Sequence, residues 1–408
     1  MRLFGSRTGV GAVGAIASMV LSRNEVNLLS SEQVSFFKDE GYLFLPGVFD
    51  GEELESFLEA GESAYKLAQR SGFNTFNVIE KGIMFDLIAK NEHASTDLTF
   101  ERSSIVKEFR KVAIRSKLGQ ICAELMELDP ESQNVRVLRD VFLTKPVNTE
   151  EKCDWHVDDQ SFWPASYDYK ASERLGKDQD GINVWIAMDD MPAAYEGSMC
   201  VAPGSHTADW RFDAYRAIGQ DRTRTNGPTK KEFLENFRNG GFVNGTCNMH
   251  VSDPTLRQRI EDDKVIFDFK KGDVVFATRM LFHRTLSVTP EGREHYNSIG
   301  KDALHRYSLR YVPGSTQLPT GLSFEYSILN DSKNRGRTLD DVVAKDNVWY
   351  PKVWPEVDLD LDEAMDAIAE SILPATQAVA ERESQAFFSM LQAELQRPKE
   401  PAETNTAR

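Results

Sequence analysis

A histidine and an aspartate two positions apart, His156 and Asp158, are the residues of this 408-residue chain best suited to chemistry. Alternate side chains of an extended strand point to the same face, so this pair could hold a metal ion from one side. The best candidate for a third ligand is His283, which follows a Gly-Asp turn and an apolar run. Two histidines and one carboxylate, with open positions opposite them, form the ligand set of non-haem Fe(II) oxygenases.

Other interpretations of the same residues are open at this point. A His-x-Asp pattern often occurs by chance, so His156 could be a core histidine and Asp158 a turn residue. A zinc-dependent hydrolase could use the same three ligands. Of the other histidines, His206 is expected in a turn or behind the ligands, and His305 is expected at the surface.

The chain ahead of these residues is predicted to be helical, with one early strand. Ser30 can cap a first helix, Gln33 can complete its capping box, and a strand follows at 42–45. A second helix is expected over 50–69 and a third over 102–128, from the spacing of their apolar residues. Helices are therefore expected to flank the start of the fold.

Further along, short apolar strands alternate with turns. The expected strands are 135–138, 140–143, 181–190, 196–206, 272–283 with His283 at its end, and 304–312. A loop is expected around Pro290, Gly292 and Gly300. Short strands between Pro and Gly turns favour a sandwich or barrel over alternating α/β units. The polar stretch 207–263 is interpreted as an insertion that forms a lid over the site.

Six motifs, taken in order, resemble one protein family. They are Phe36 to Val48, Trp155 to Asp158, Val184 to Asp190, Gly197 to His206, Gly272 to His283, and Arg306 to Val312. On these motifs the chain resembles the phytanoyl-CoA dioxygenase family of Fe(II)- and 2-oxoglutarate-dependent oxygenases over roughly residues 29–315. The resemblance implies a mainly β fold with flanking helices and a double-stranded β-helix (jelly-roll) core.

The resemblance also implies roles for individual residues. The implied Fe(II) ligands are His156, Asp158 and His283. Arg306 would bind the far carboxylate of 2-oxoglutarate, because a guanidinium grips a carboxylate with two hydrogen bonds. Arg310, four residues on along the same face, is the alternative. The stretch between His283 and Arg306 is longer than the family usually has, and this bears on the choice between Arg306 and Arg310. Thr285 and Trp185 match positions that contact 2-oxoglutarate in relatives.

The implied activity is that of a dioxygenase that uses Fe(II), 2-oxoglutarate and O2, with ascorbate as a further cofactor. Asp158 favours hydroxylation, because relatives that halogenate carry a small residue at this position. The substrate is expected to be a small organic or acyl molecule. A non-catalytic jelly-roll protein that binds a small molecule is the alternative, although such a protein would not need the three ligands and the arginine together.

Composition and charge limit the partners of the chain. Its net charge is −16 and its pI about 5.0, so there is no basic field to neutralise the phosphates of nucleic acid. The four cysteines include no C-x-x-C pair and are expected to be free thiols in a reducing compartment. No segment approaches about 18 consecutive apolar residues, so no stable membrane span is expected in the mature chain. The oligomeric state is left open.

The chain is predicted to have three parts. Residues 1–24 carry three arginines and no acid, as mitochondrial transit peptides and secretory signals do; without such a signal the protein would be cytoplasmic. Residues 25–315 would form the dioxygenase domain, with 207–263 as its lid. Residues 316–408 would form a helical extension with a disordered tail.

Deletion of residues 1–24 is expected to leave folding and activity unchanged, because the segment has the composition of an address and not of a core. Thermal melting and turnover of the shortened chain, compared with the full chain, test this. Loss of folding would show instead that the segment packs as structure.

Overall fold

The computed structural model describes residues 27–70, 108–109, 111–148, 155, 181–206, 254–279, 281–316, 337–342 and 351–355. The α-helices whose full length lies in these ranges are α1 (Ser31–Glu40), α2 (Gly51–Arg70), α3 (Leu118–Leu125), α4 (Pro254–Asp262), α5 (Pro290–Ser298) and α6 (Leu339–Val342). The strands are β1 (Tyr42–Leu45), β2 (Val135–Pro146), β3 (Ile182–Ala187), β4 (Met199–Val201), β5 (Val265–Ile266), β6 (Val274–Thr278), β7 (His283–Thr285), β8 (Ala303–Pro313) and β9 (Lys352–Trp354). The predicted targeting segment lies outside the described residues, as does 207–253 of the predicted lid. Within the described ranges, no helix is long and apolar enough to cross a membrane.

Two antiparallel sheets form the centre of the fold. A large sheet has the strand order β1-β6-β3-β8-β2-β9, and a small sheet has the order β5-β4-β7. Neighbouring strands run antiparallel in both sheets. The prediction of a mainly β fold with flanking helices is therefore confirmed.

Apolar side chains cover both faces of the large sheet. On one face, Leu309 of β8 belongs to a cluster with Phe57 of α2 and residues of α3. On the other face, Trp185 of β3 belongs to a cluster with Met199 of the small sheet. Burial of these apolar side chains stabilises the packing of the layers by about 25 cal/mol per Å² of apolar surface removed from water. Helices thus cover the outer face of the large sheet, and the small sheet covers its inner face.

α1 begins and ends as the sequence predicts. The Ser30 hydroxyl accepts the Gln33 backbone N–H at 3.3 Å, and the Gln33 side chain accepts the Ser30 N–H at 2.8 Å. The helix ends at Gly41, whose φ of 80° lies in the left-handed region. The chain then enters β1, which pairs with β6 and sets Tyr42 opposite Ala277.

The third predicted helix, 102–128, is interrupted within its described part. Residues 111–115 are helical, and α3 begins only at Leu118. The Ser116 hydroxyl accepts the Leu118 backbone N–H at 3.3 Å, in competition with the backbone bond of a continuous helix. The prediction of one unbroken helix is therefore wrong at this point.

The predicted strands 135–138 and 140–143 are one strand, β2. Its pairing with β8 shifts register between Val137 and Arg139, which is where the sequence pattern breaks. A bulge of this kind lets a strand continue although the alternation of its side chains is interrupted.

The predicted strand 272–283 is two strands in two different sheets. β6 ends at Thr278, whose carbonyl accepts the Leu281 N–H at 3.1 Å in a turn. The chain then crosses to the small sheet, where His283 begins β7. The sequence pattern predicts that His283 ends the strand of the apolar run. In the structure His283 instead begins a new strand, so this prediction is wrong.

The loop expected around Pro290 is the helix α5. Thr289 caps this helix by accepting the Gly292 N–H at 3.1 Å, and Pro290 stands in the first turn, where its missing N–H costs no hydrogen bond. The cap and the proline are helix-start signals in the sequence, and the two nearby glycines obscured them. The prediction of a loop is wrong here.

The large sheet continues beyond residue 315. β9 pairs with β2, and this pairing sets Trp354 opposite Val135. Arg136 of β2 also donates to Asp340 at 2.6 Å. The part of the chain after residue 315 thus supplies an edge strand and an ion pair to the sheet of the predicted dioxygenase domain.

The turn before β6 depends on a glycine. Gly272 has a φ of 87°, and a Cβ at this position would lie 2.3 Å from the Phe49 carbonyl oxygen. Next to it, the Asp273 side chain accepts the backbone N–H of Gly47 at 2.8 Å and that of Lys270 at 2.7 Å. The turn therefore ties the start of β6 to the chain that follows β1.

Gly272→Ala is expected to destabilise the fold more than Gly300→Ala. Both glycines have positive φ, but nothing lies within 4 Å of a Cβ at Gly300. The left-handed backbone costs an alanine about 1–2 kcal/mol at either position. The overlap with Phe49 should add about 1–3 kcal/mol in Gly272→Ala alone. Urea unfolding of both variants measures the difference, and equal losses would contradict the close packing at Gly272.

Candidate functional site

The inner faces of the two sheets meet around β7. His283 and Thr285 lie opposite Val201 and Met199 of β4, which belong to the apolar layer between the sheets. Directly opposed residues of an antiparallel pair share a face, so His283 and Thr285 also point between the sheets. Arg284, which stands between them in the strand, points to the outer side.

His283 is held in a defined orientation. The residue is 8% exposed, and its ring Nδ1 lies 3.0 Å from the Leu281 carbonyl oxygen. Because a carbonyl only accepts, this contact assigns a proton to Nδ1, and in the neutral ring the lone pair is then on Nε2. Metal-binding histidines donate their second ring nitrogen to a carbonyl or carboxylate in the same way. His283 therefore has the tautomer and burial that suit a metal ligand.

A cationic side chain reaches β7 from the large sheet. Arg306 of β8 donates from Nη1 to the Thr285 hydroxyl at 2.9 Å. Its guanidinium carbon lies 5.8 Å from the centroid of the Trp185 ring, within range of a cation–π attraction. The Trp185 ring in turn packs on Phe269, with 4.5 Å between centroids. The three residues predicted to bind 2-oxoglutarate thus come together beside the strand of His283.

The two candidate arginines lie at different positions along β8. Arg306 and Arg310 share a face of the strand, but Arg306 is paired with Ala187 and Arg310 with Asn183, near opposite ends of β3. At about 3.3 Å per residue, Arg310 lies roughly 13 Å further along the strand. The hydrogen bond to Thr285 makes Arg306 the better placed of the two to anchor a ligand at β7.

The long stretch between β7 and β8 is occupied by α5. This helix packs at the edge of the site, where its Tyr296 hydroxyl donates to the Asp190 carbonyl at 3.1 Å. The chain then returns to the large sheet at Ala303. The extra residues therefore leave Thr285 and Arg306 within hydrogen-bond distance.

Two of the three predicted metal ligands, His156 and Asp158, lie outside the described residues. Trp155, which directly precedes His156, is described, and its side chain is fully buried. The guanidinium carbon of Arg284 lies 5.4 Å from the centroid of the Trp155 ring. The chain neighbours of His156 and His283 therefore pack against each other. The described ranges alone contain no cluster of three or more potential metal ligands.

Directly before Arg306, β8 carries a histidine on its other face. His305 is 5% exposed, so the expectation of a surface residue is wrong; its ring packs on Tyr65 of α2 at 4.7 Å between centroids. Burial, together with the positive charge of Lys301, lowers the pKa of His305 to about 3. The His305 backbone N–H donates to Asp189 at 2.7 Å, and Lys301 forms an ion pair with the same carboxylate.

Acidification is expected to destabilise the fold through His305. The unfolded chain takes up the histidine proton as the pH falls through 6.5, whereas the folded chain does so only near pH 3. The stability is therefore present above pH 6.5 and is lost between these two values, at about 1.4 kcal/mol per pH unit. Burial raises the pKa of Asp189, although the charge of Lys301 acts to lower it. This raised pKa makes the folded state more stable as the pH falls, which is opposite in sign to the effect of His305.

His305→Gln should accordingly flatten the profile of unfolding free energy between about pH 4.5 and 7, since the variant has no buried ring to protonate. Denaturant unfolding at several pH values measures this profile. His295→Gln, at an exposed histidine of α5, is the matched control. An equal flattening in both variants would show that the buried ring is not the cause.

Comparison with known proteins shows to which family the chain belongs. The family model of phytanoyl-CoA dioxygenase matches residues 37–294, which is well over half of the chain. A search of curated proteins gives no match. Among solved structures, the non-heme alpha ketoglutarate dependent carbocyclase SnoK from nogalamycin biosynthesis is 17% identical, with a TM-score of 0.47 over 80% of this chain and 96% of its own. EctD from S. alaskensis with 2-oxoglutarate and 5-hydroxyectoine is 16% identical, with a TM-score of 0.40 over 74% of this chain and 83% of its own. The match to the family model confirms what the six motifs predict: this chain belongs to the phytanoyl-CoA dioxygenase family.

Proposed function

We propose that the protein is an Fe(II)- and 2-oxoglutarate-dependent dioxygenase that oxidises a small organic or acyl substrate. The contact between Arg306 and Thr285 carries the proposal. It sets a guanidinium, which is suited to a carboxylate, beside the strand of a histidine that is oriented like a metal ligand. Membership of the phytanoyl-CoA dioxygenase family supports the same activity.

The proposed iron ligands are His156, Asp158 and His283. Nε2 of His283 carries the lone pair because Nδ1 donates to the Leu281 carbonyl. Support for His156 comes from Trp155, which precedes it and packs on Arg284, the residue after His283. Two imidazoles and a carboxylate suit Fe(II) and leave coordination positions open on the opposite side.

Arg306 is the proposed anchor for the far carboxylate of 2-oxoglutarate. Two parallel N–H bonds from a guanidinium fix the plane of a carboxylate as well as its position. The Thr285 hydroxyl accepts from Arg306 and can donate its own proton to the same carboxylate. The Trp185 ring lies over one side of the guanidinium. Iron, 2-oxoglutarate and O2 supply the oxidising power when bound, and these side chains orient the cosubstrate.

The substrate would bind between the two sheets, on the open side of the metal. The two antiparallel sheets with the site between them support the proposed jelly-roll core. Within the predicted lid 207–263, α4 packs behind the small sheet and not over the site, so the lid prediction is wrong for this helix. The stretch 207–253 is the proposed lid, and substrate selection is assigned to it. Asp158 in the ligand set favours hydroxylation, because a carboxylate occupies the coordination position that a halide would need.

Replacement of any proposed ligand should abolish turnover and leave the fold largely intact. His156→Ala, Asp158→Ala and His283→Ala each remove one of three ligands, so release of succinate from 2-oxoglutarate should stop. Iron retained after purification without oxygen should fall in each variant, and thermal melting of the metal-free proteins checks the fold. Full iron-dependent activity of Asp158→Ala would rule out this ligand set. If the wild-type protein retained zinc and formed no succinate, this result would favour a zinc-dependent hydrolase instead.

Arg306→Ala should raise the apparent KM for 2-oxoglutarate at least about ten-fold, because loss of one partner of a desolvated charge pair costs about 2–5 kcal/mol. Fe(II) affinity should stay nearly unchanged. Arg306→Lys should recover only part of the loss, because an ammonium lacks the planar fork. Arg310→Ala is the control, and a KM defect in that variant alone would assign the anchor to Arg310.

A further inference from the structure

A carboxylate behind the small sheet binds side chains from two distant segments and from its own segment. Glu261, in the last turn of α4, accepts from Arg284 at 2.9 Å, from Lys264 at 2.6 Å and from the Trp155 indole N–H at 3.0 Å. Its side chain is only 18% exposed, so these charge-assisted bonds form largely out of water, where they are strong. Burial raises the pKa of Glu261, but the bonds from Lys264 and Trp155, together with the positive charges of Arg284 and Lys264, outweigh burial and lower it.

Two partners of Glu261 are direct neighbours of proposed iron ligands. Arg284 follows His283 in β7 and points to the outer side of the small sheet. Trp155 directly precedes His156 in the chain. The carboxylate therefore binds both segments that carry a histidine ligand, from the side of the sheet opposite to the site.

The indole that Glu261 binds has little freedom to move. It belongs to an apolar cluster of Trp155, Cys200, Ala202, Ile260, Phe282 and Leu286. The Arg284 guanidinium lies over the same ring at 5.4 Å from its centroid. Apolar packing, the Arg284 guanidinium and the Glu261 carboxylate thus fix the position of Trp155 on the side of β7 that faces away from the site.

We propose that Glu261 is a positioning residue for the iron centre: by holding Trp155 and Arg284 together, it ties the strand of His283 to the residue that precedes His156 in the chain. The inference rests on the proposed function, because it concerns the same two histidines. Glu261 lies behind the small sheet and acts through the backbone of its partners, as groups that orient metal ligands do in other metal sites.

The test measures Co(II) binding to the metal-free protein. Co(II) stands in for Fe(II) without oxidising in air, and its visible absorption reports the coordination geometry. Glu261→Ala should raise the Kd for Co(II) about 10- to 100-fold, the usual effect of removing a group that orients metal ligands, and should change the absorption spectrum. Trp155→Phe keeps an aromatic ring in the cluster but removes the N–H donor, and should raise the Kd at least about three-fold.

Two further variants make the test specific. Asp262→Asn changes the next residue of α4, which is exposed and bonded to Gln258, and should leave the Kd within about two-fold. The double variant of Glu261→Ala and Trp155→Phe should lose less affinity than the product of the two single losses, because both changes break the same bond.

The outcomes of these measurements test the role of Glu261 separately from the proposed iron site. Unchanged Co(II) affinity in Glu261→Ala and Trp155→Phe, together with a loss in His283→Ala, would overturn the inference and leave the proposed function standing. Unchanged affinity in His283→Ala would remove the proposed iron site itself. Multiplicative losses in the double variant would show that Glu261 does not act through Trp155, which also overturns the inference. If Glu261→Ala does not fold, the Kd of Trp155→Phe decides.

Discussion

A hydrogen bond across the interior, from Arg306 to Thr285, is the constraint on which the arrangement of the site depends. It joins the large sheet to the small sheet within a layer built largely of apolar side chains. Arg306 is partly buried, and a cation that is partly removed from water needs well-placed acceptors to offset its lost hydration. β7 and β8 must therefore keep the registers in which these two side chains meet, since a shift by one residue would turn either of them to the opposite face.

The centre of the large sheet carries polar groups on both faces, and each face handles them differently. On the inner face, Arg306 lies against the Trp185 ring, so its charge is met by an aromatic surface and a hydroxyl. On the helical face, His305 avoids the cost of a buried charge by staying neutral. Asp189 stays buried because Lys301 and a backbone N–H bind its two oxygens.

The sequence predicts those features that are set by neighbouring residues, and the family motifs predict part of the rest. The Ser30 cap and the mainly β fold follow from local chemistry and alternation. The meeting of Arg306 with the strand of His283 was expected only from the resemblance, since 23 residues separate them in the chain. The burial of His305 could not be predicted, because alternation assigns it a face but does not show that α2 covers that face. Nothing local marks Glu261 either, since its partners come from segments that only the tertiary fold brings behind β7.

Synthesis on the ribosome exposes β1 long before its partner strand exists. Tyr42 pairs with Ala277, so more than two hundred residues must be added after β1 before β6 can bind it. At about 5–20 residues per second, the strand waits on the order of ten to fifty seconds. An unpaired apolar strand is a template for aggregation during that time. The early helices α1 and α2 offer partial cover, because Phe37 and Phe57 share an apolar cluster with Leu43. The nascent chain therefore depends on these helices, or on a chaperone, to keep β1 available until the sheet can close around it.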